Sequence, residues 1–93
     1  MVLKGTFDTY VILFIRRKRM EERVLKVLSE EFPDIDFTSS DALVDDGILD
    51  SLTITGIIAT LTMEFGITIP YEEIIEENFN SIKGLASMVE RLS

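Results

Sequence analysis

Apolar positions recur at helical spacing in three stretches of this chain. Over residues 51–65, Ile54, Ile57, Ile58, Leu61 and Phe65 fall on one face at intervals of three and four. Asp50 stands where an N-cap belongs, leaving Ser51 at the first helical position, and Gly66 follows as a C-cap. Locally, Leu52-Thr53-Ile54-Thr55 alternates and is β-branched, as a strand would be. Gly56 costs a helix about 1 kcal/mol against alanine. The segment is long for a strand and is capped at both ends, which decides for a helix. Residues 82–92 repeat the pattern with Ile82, Leu85, Met88, Val89 and Leu92. Residues 20–31 do so with Val24, Leu25, Val27 and Leu28, and Phe32 lies four past Leu28. Pro33 ends that helix, because it disfavours helical geometry at Phe32 and donates no hydrogen bond. A start near Met20 would put Glu21 and Glu22 in the first turn, which suits the helix dipole.

The intervening segments read differently. Residues 33–49 are rich in turn and cap residues but laced with Ile35, Phe37, Leu43, Val44, Ile48 and Leu49, so they form a long loop expected to pack on the core. Ser39 or Ser40 is expected to cap a short turn through Asp41–Val44. Ile67-Thr68-Ile69-Pro70 is a short extended connection. Residues 71–77 make one or two helical turns, with Ile74 and Ile75 inward and Glu72, Glu73, Glu76 and Glu77 outward. Asn78-Phe79-Asn80-Ser81 reads as a turn carrying a cap. Met63 and Met88 are expected as core filler. Nothing reads as a sheet. The fold class is all-α: a small irregular four-helix bundle, with a long loop between helices 1 and 2 and a short third helix.

Residues 1–19 stand apart. Tyr10-Val11-Ile12-Leu13-Phe14-Ile15 precedes Arg16-Arg17-Lys18-Arg19. Six apolar residues are too few to span a bilayer, which takes about 20. A signal peptide carries its charge before the apolar segment, the reverse of the order here. Met20-Glu21-Glu22 would open a tidy domain, so residues 1–19 are expected as an N-terminal extension and 20–93 as the functional domain. A sharper reading lets residues 10–15 lengthen the first helix or pack on the body, with the basic run touching an acidic surface; a weak membrane-surface anchor is a further one.

Charge and composition narrow the chemistry. The net charge of −8 divides into +4 over residues 1–19 and −12 over residues 20–93. The acidic body should repel nucleic acid and suits protein partners with basic patches. Absence of cysteine removes disulfides and thiolate chemistry and fits a reducing, cytoplasmic setting. Absence of histidine removes the commonest general base and metal ligand. The acidic loop fails as a calcium site: the alternate positions before Gly47 include Ala42 and Val44, and Thr53 stands where the closing glutamate belongs. Loose surface binding of a divalent ion by Asp45, Asp46 and Asp50 is weaker than the reading of a solvated loop. Glu72, Glu73, Glu76 and Glu77 are a solvated face or a docking surface. Ser51 reads first as a residue of the helix start. With no histidine to activate it, any chemistry at its hydroxyl must come from another protein. That describes a modification site.

The run Gly47-Ile48-Leu49-Asp50-Ser51-Leu52 resembles the attachment motif of acyl carrier proteins and of the related peptidyl and D-alanyl carriers. Glu64-Phe65-Gly66-Ile67-Thr68-Ile69-Pro70 and Phe79-Asn80-Ser81-Ile82 are similar to that family's later segments, in order, and residues 20–93 can be laid along its whole length. The resemblance implies a non-enzymatic carrier bearing 4'-phosphopantetheine, taken from coenzyme A, on Ser51. Asp50 would cap the helix, while Leu52 and Ile48 would line the arm's exit or touch a partner. It implies a phosphopantetheinyl transferase, a loading ligase and downstream synthases with basic docking patches as partners, and a monomer. Fatty-acid carriers usually show Gly-Ala-Asp-Ser-Leu followed by acidic residues. Here Leu49 precedes Asp50, Thr53 follows Leu52, and residues 52–63 carry no charge. The resemblance implies acyl or aminoacyl cargo, held as a thioester for fatty-acid, polyketide or related biosynthesis. The motif form leans toward a D-alanyl or peptidyl carrier loaded by an adenylating ligase. It also shifts the expected docking surface to Ile48 and Leu52, or to Glu72, Glu73, Glu76 and Glu77. An unmodified helical adaptor for basic proteins is the alternative reading.

Overall fold

In the computed structural model, which describes residues 9–93, four α-helices follow one another: α1 (Thr9–Glu31), α2 (Ser51–Phe65), α3 (Glu76–Phe79) and α4 (Ile82–Leu92). A single 3-10 turn, Tyr71–Glu73, precedes α3. No strand occurs among the described residues. α1 packs against α4 and α2, and α3 against α4. The expected all-α bundle, with its long first loop and short third helix, is the observed one.

The core takes Val24 and Leu28 from α1, Ile57 and Leu61 from α2, and Leu85, Ala86, Met88 and Val89 from α4. The helices do not close this core alone. The loop supplies Phe37, Leu43 and Leu49, all buried, and Ile67 and Phe79 complete it. Phe37 also meets Phe32 edge to face, ring centroids 6.4 Å apart. α1 stops at Glu31 ahead of Pro33, and α2 stops at Gly66, whose φ of 63° is the left-handed conformation that a C-cap glycine adopts without a Cβ clash.

Several expectations need correction. The first helix begins at Thr9 rather than near Met20, so Glu21 and Glu22 lie well inside it and its first turn has no acidic residue. The sharper reading of residues 10–15 holds: they lengthen the first helix, and with the basic residues 16–19 they add about three turns. Residues 1–8 of the expected extension lie outside the described residues. Met88 is buried as filler, but Met63 is fully in solvent, on the side of α2 opposite Ile57 and Leu61. The third helix is not residues 71–77. The chain forms the 3-10 turn, kinks through extended Ile75, and then turns helically over Glu76–Phe79. That kink turns the apolar residues of the segment outward as well, while Glu72, Glu76 and Glu77 stay exposed. Ile74 and Ile75 are exposed, whereas Asn78 and Phe79, expected in a turn, are buried. Glu73 is drawn toward α4, where it accepts from Arg91 Nη2 at 2.6 Å and from Asn78 Nδ2 at 3.0 Å.

Candidate attachment site

The site is built by the turn that delivers the chain into α2. Leu43 anchors it. Its side chain is buried, its N–H donates to Asn80 O at 2.8 Å, and its carbonyl accepts from both Ile48 N (2.9 Å) and Leu49 N (3.0 Å). Leu49 closes the turn from the far side by entering the core. Between them the chain reverses through Gly47, at φ 76°, a conformation that costs a residue with a Cβ. Ser40 steadies the entrance: its Oγ accepts from Ala42 N at 2.8 Å and donates to Asp46 Oδ2 at 2.7 Å. Of the two serines expected to cap this turn, it is Ser40 that does so.

Asn80 fastens the turn to the C-terminal half, and sequence reasoning missed it. Its Oδ1 accepts from Val44 N (2.9 Å) and Asp45 N (3.2 Å), and its Nδ2 donates to Asp45 Oδ2 (3.3 Å). The only sequence signal was its place beside a helix cap. Its partners lie 35 and 36 residues away, beyond any local rule.

Asp50 and Ser51 follow directly. Asp50 is the N-cap of α2: its Oδ1 accepts from Thr53 N at 2.8 Å and its carbonyl from Ile54 N at 2.9 Å. Hydrogen bonding from Thr53, first through its backbone N–H, holds the Asp50 carboxyl below the ordinary carboxylate value. Ser51 is exposed at the first position of α2, and no hydrogen bond ties its hydroxyl. Most of the other serines are committed. Ser39, Ser40, Ser81, Ser87 and Ser93 each have their Oγ in a hydrogen bond. Ser29 alone shares the freedom of Ser51, but it lies within the last turns of α1.

The remaining expected site residues divide. Leu52 is 82% exposed beside Ser51 and Ile48 is 36% exposed. Leu49, the residue that departs most from the fatty-acid form of the motif, is spent on packing and offers no side chain to a partner or cargo. Glu72, Glu76 and Glu77 are exposed, while Glu73 is half-withdrawn into its pairing with Arg91. A shallow cleft of about 120 Å³, lined by Val44, Ile54, Ile74, Ile75, Glu76 and Phe79, opens one helical turn from Ser51. Among the described residues no group of three or more acidic side chains is placed to hold a metal ion. No helix among them is long and apolar enough to cross a membrane.

A protein-family profile described as a phosphopantetheine attachment site matches residues 19–89. The chain belongs to that family. Family members carry 4'-phosphopantetheine covalently on a serine, so the chain is a phosphopantetheine-bearing carrier, of a class whose domains are generally non-catalytic. No curated protein and no solved structure gives a significant match. The geometry suits the group: a phosphate ester at an exposed helix N-terminus displaces no side-chain contact and meets the positive end of the helix dipole.

Proposed function

We propose that Ser51 is the attachment serine and that the chain carries acyl or aminoacyl groups. The carrying observation is the Ser51 hydroxyl itself: exposed, uncommitted, and held by Asp50 at the start of α2, inside the family match. The bound group supplies a terminal thiol that holds cargo as a thioester, which is why a cysteine-free chain can serve as a carrier. The chain's own part is presentation. Leu43, Leu49 and Asn80 fix the turn, Asp50 fixes the helix start, and Ser51 Oγ is left open to a phosphopantetheinyl transferase.

The motif form Gly47-Ile48-Leu49-Asp50-Ser51, with Thr53 after Leu52, favours an aminoacyl group loaded by an adenylating ligase over the fatty-acid form of cargo. The uncharged α2 face bears Leu52 and Met63, with Ile48, Ile74 and Ile75 exposed elsewhere, so partner docking rests on apolar contact first and on Glu72, Glu76 and Glu77 second.

Incubation with coenzyme A and a transferase active on another carrier tests the assignment. Intact mass gains one phosphopantetheinyl unit in the native chain and in Ser29→Ala, and none in Ser51→Ala. A gain retained by Ser51→Ala, or absent from the native chain, overturns it.

A further inference from the structure

The first two turns of α1, over residues 9–15, hold large apolar side chains in solvent. Tyr10 is 82% exposed, Ile12 47%, Phe14 63% and Ile15 43%. At about 100° per residue these four span about 200° of the helix circumference, and the half-buried Leu13 lies on the remaining side, so residues 10–15 present no polar face. The next turn, Arg16-Arg17-Lys18-Arg19, is cationic all round and exposed. None of the four forms an ion pair; among the described residues the one salt bridge is Arg91–Glu73. Lys18 Nζ instead lies 5.9 Å from the centroid of the Phe14 ring. The segment is therefore patterned along its axis: an apolar band, then a cationic collar.

We infer that residues 10–19 form a docking element for an anionic lipid surface, independent of the attachment serine. A protein groove covers one face of a helix and leaves the other solvated, so it suits a helix with a polar side. A band that is apolar round most of the circumference is covered in full only by a fluid apolar phase, and the collar then lies level with lipid phosphates. The collar forbids spanning, so the contact is peripheral. The acidic body, carrying −12 over residues 20–93, is repelled by the same surface, which leaves the basic end as the one that approaches. One short apolar band is a weak anchor alone; apolar insertion and a polybasic turn are the two signals that together hold a protein at a membrane.

Flotation of the full chain with vesicles tests this. The chain floats with phosphatidylcholine vesicles containing phosphatidylserine, partitions far less to phosphatidylcholine alone, and is released by added salt. Arg17→Gln with Lys18→Gln lowers partitioning about tenfold or more. Phe14→Gln with Ile15→Gln abolishes it, while glutamine keeps helix propensity so that the circular dichroism is unchanged. No flotation of the native chain, or flotation unmoved by both variants, overturns the inference. Sedimentation of the native chain as a dimer that both variants dissociate, without flotation, also overturns it and assigns the segment to a second copy.

Discussion

Asn80→Ala isolates what holds the attachment turn. The side chain accepts from Val44 N and Asp45 N at 2.9 and 3.2 Å and donates to Asp45 Oδ2 at 3.3 Å. Alanine keeps the backbone bond from Leu43 N to the residue-80 carbonyl and removes these three. The bond from Val44 N is part-buried, so its loss leaves a donor with restricted access to water; the two at Asp45 are exposed and solvent largely replaces them. At about 1 kcal/mol per net bond, weighted toward Val44, the cost is about 2 kcal/mol. With a urea slope of 1–2 kcal/mol per molar for a domain this small, the midpoint falls by roughly 1–2 M. Urea titration followed by far-UV circular dichroism measures it, and the rate of phosphopantetheine transfer in the absence of urea falls with it. Asn80→Asp is the companion variant. It keeps an acceptor for both N–H groups but sets a second carboxylate against Asp45. That like-charge repulsion offsets part of the recovered hydrogen bonding and weakens with added salt. An Asn80→Ala midpoint indistinguishable from native refutes the reasoning and leaves burial of Leu43 and Leu49 as the sole anchor.

Two further outcomes follow from the same contacts. Gly84→Ala and Gly56→Ala make the same change in two helices with opposite expected sign. A Cβ at Gly84 would lie 2.6 Å from the Glu77 carbonyl oxygen, which is backbone and cannot swing aside, so thermal denaturation shows a loss of about 1–3 kcal/mol. At Gly56 it would lie 3.0 Å from the tip of the half-exposed Phe32 ring, which can yield, so the gain in helix propensity of up to about 1 kcal/mol is retained in part. Asp50→Asn tests the cap by pH: the folded carboxyl is depressed, so its extra stability is complete above the ordinary carboxylate range and is lost as pH falls through the folded value. The native chain should lose stability relative to Asp50→Asn across that acidic window, and parallel profiles for the two would contradict the cap's charge.

The helices that the apolar pattern identified are those where a stripe and a cap agree. Asp50 and Gly66 bound α2 as expected, and Ser81 caps α4 by accepting from Gly84 N at 2.9 Å. The failures are of three physical kinds. The start of α1 was misplaced because residues 10–19 carry no cap and no face, and helix continuity there owes nothing to amphipathic burial. Ile74 and Ile75 were turned inward because periodicity over five residues cannot see a kink. Asn80 was undervalued because its role depends on a turn 35 residues away, whereas Leu49 enters the core as the apolar lacing of the loop implies. The position of Ser51 at an exposed helix start was legible, since its signal is local: the Asp50 cap and the apolar stripe that follows.

The double use of the Leu43 carbonyl has a consequence for recognition. Because that one oxygen gathers Ile48 N and Leu49 N while the Leu43 and Leu49 side chains enter the core, the presentation of Ser51 exists only where the whole domain has closed around it. The six-residue motif is thus a conformational epitope that happens to be written contiguously. Cut out as a peptide it keeps its letters and loses its shape. An enzyme that reads this shape before modifying the serine inspects the folding of its substrate in the same act.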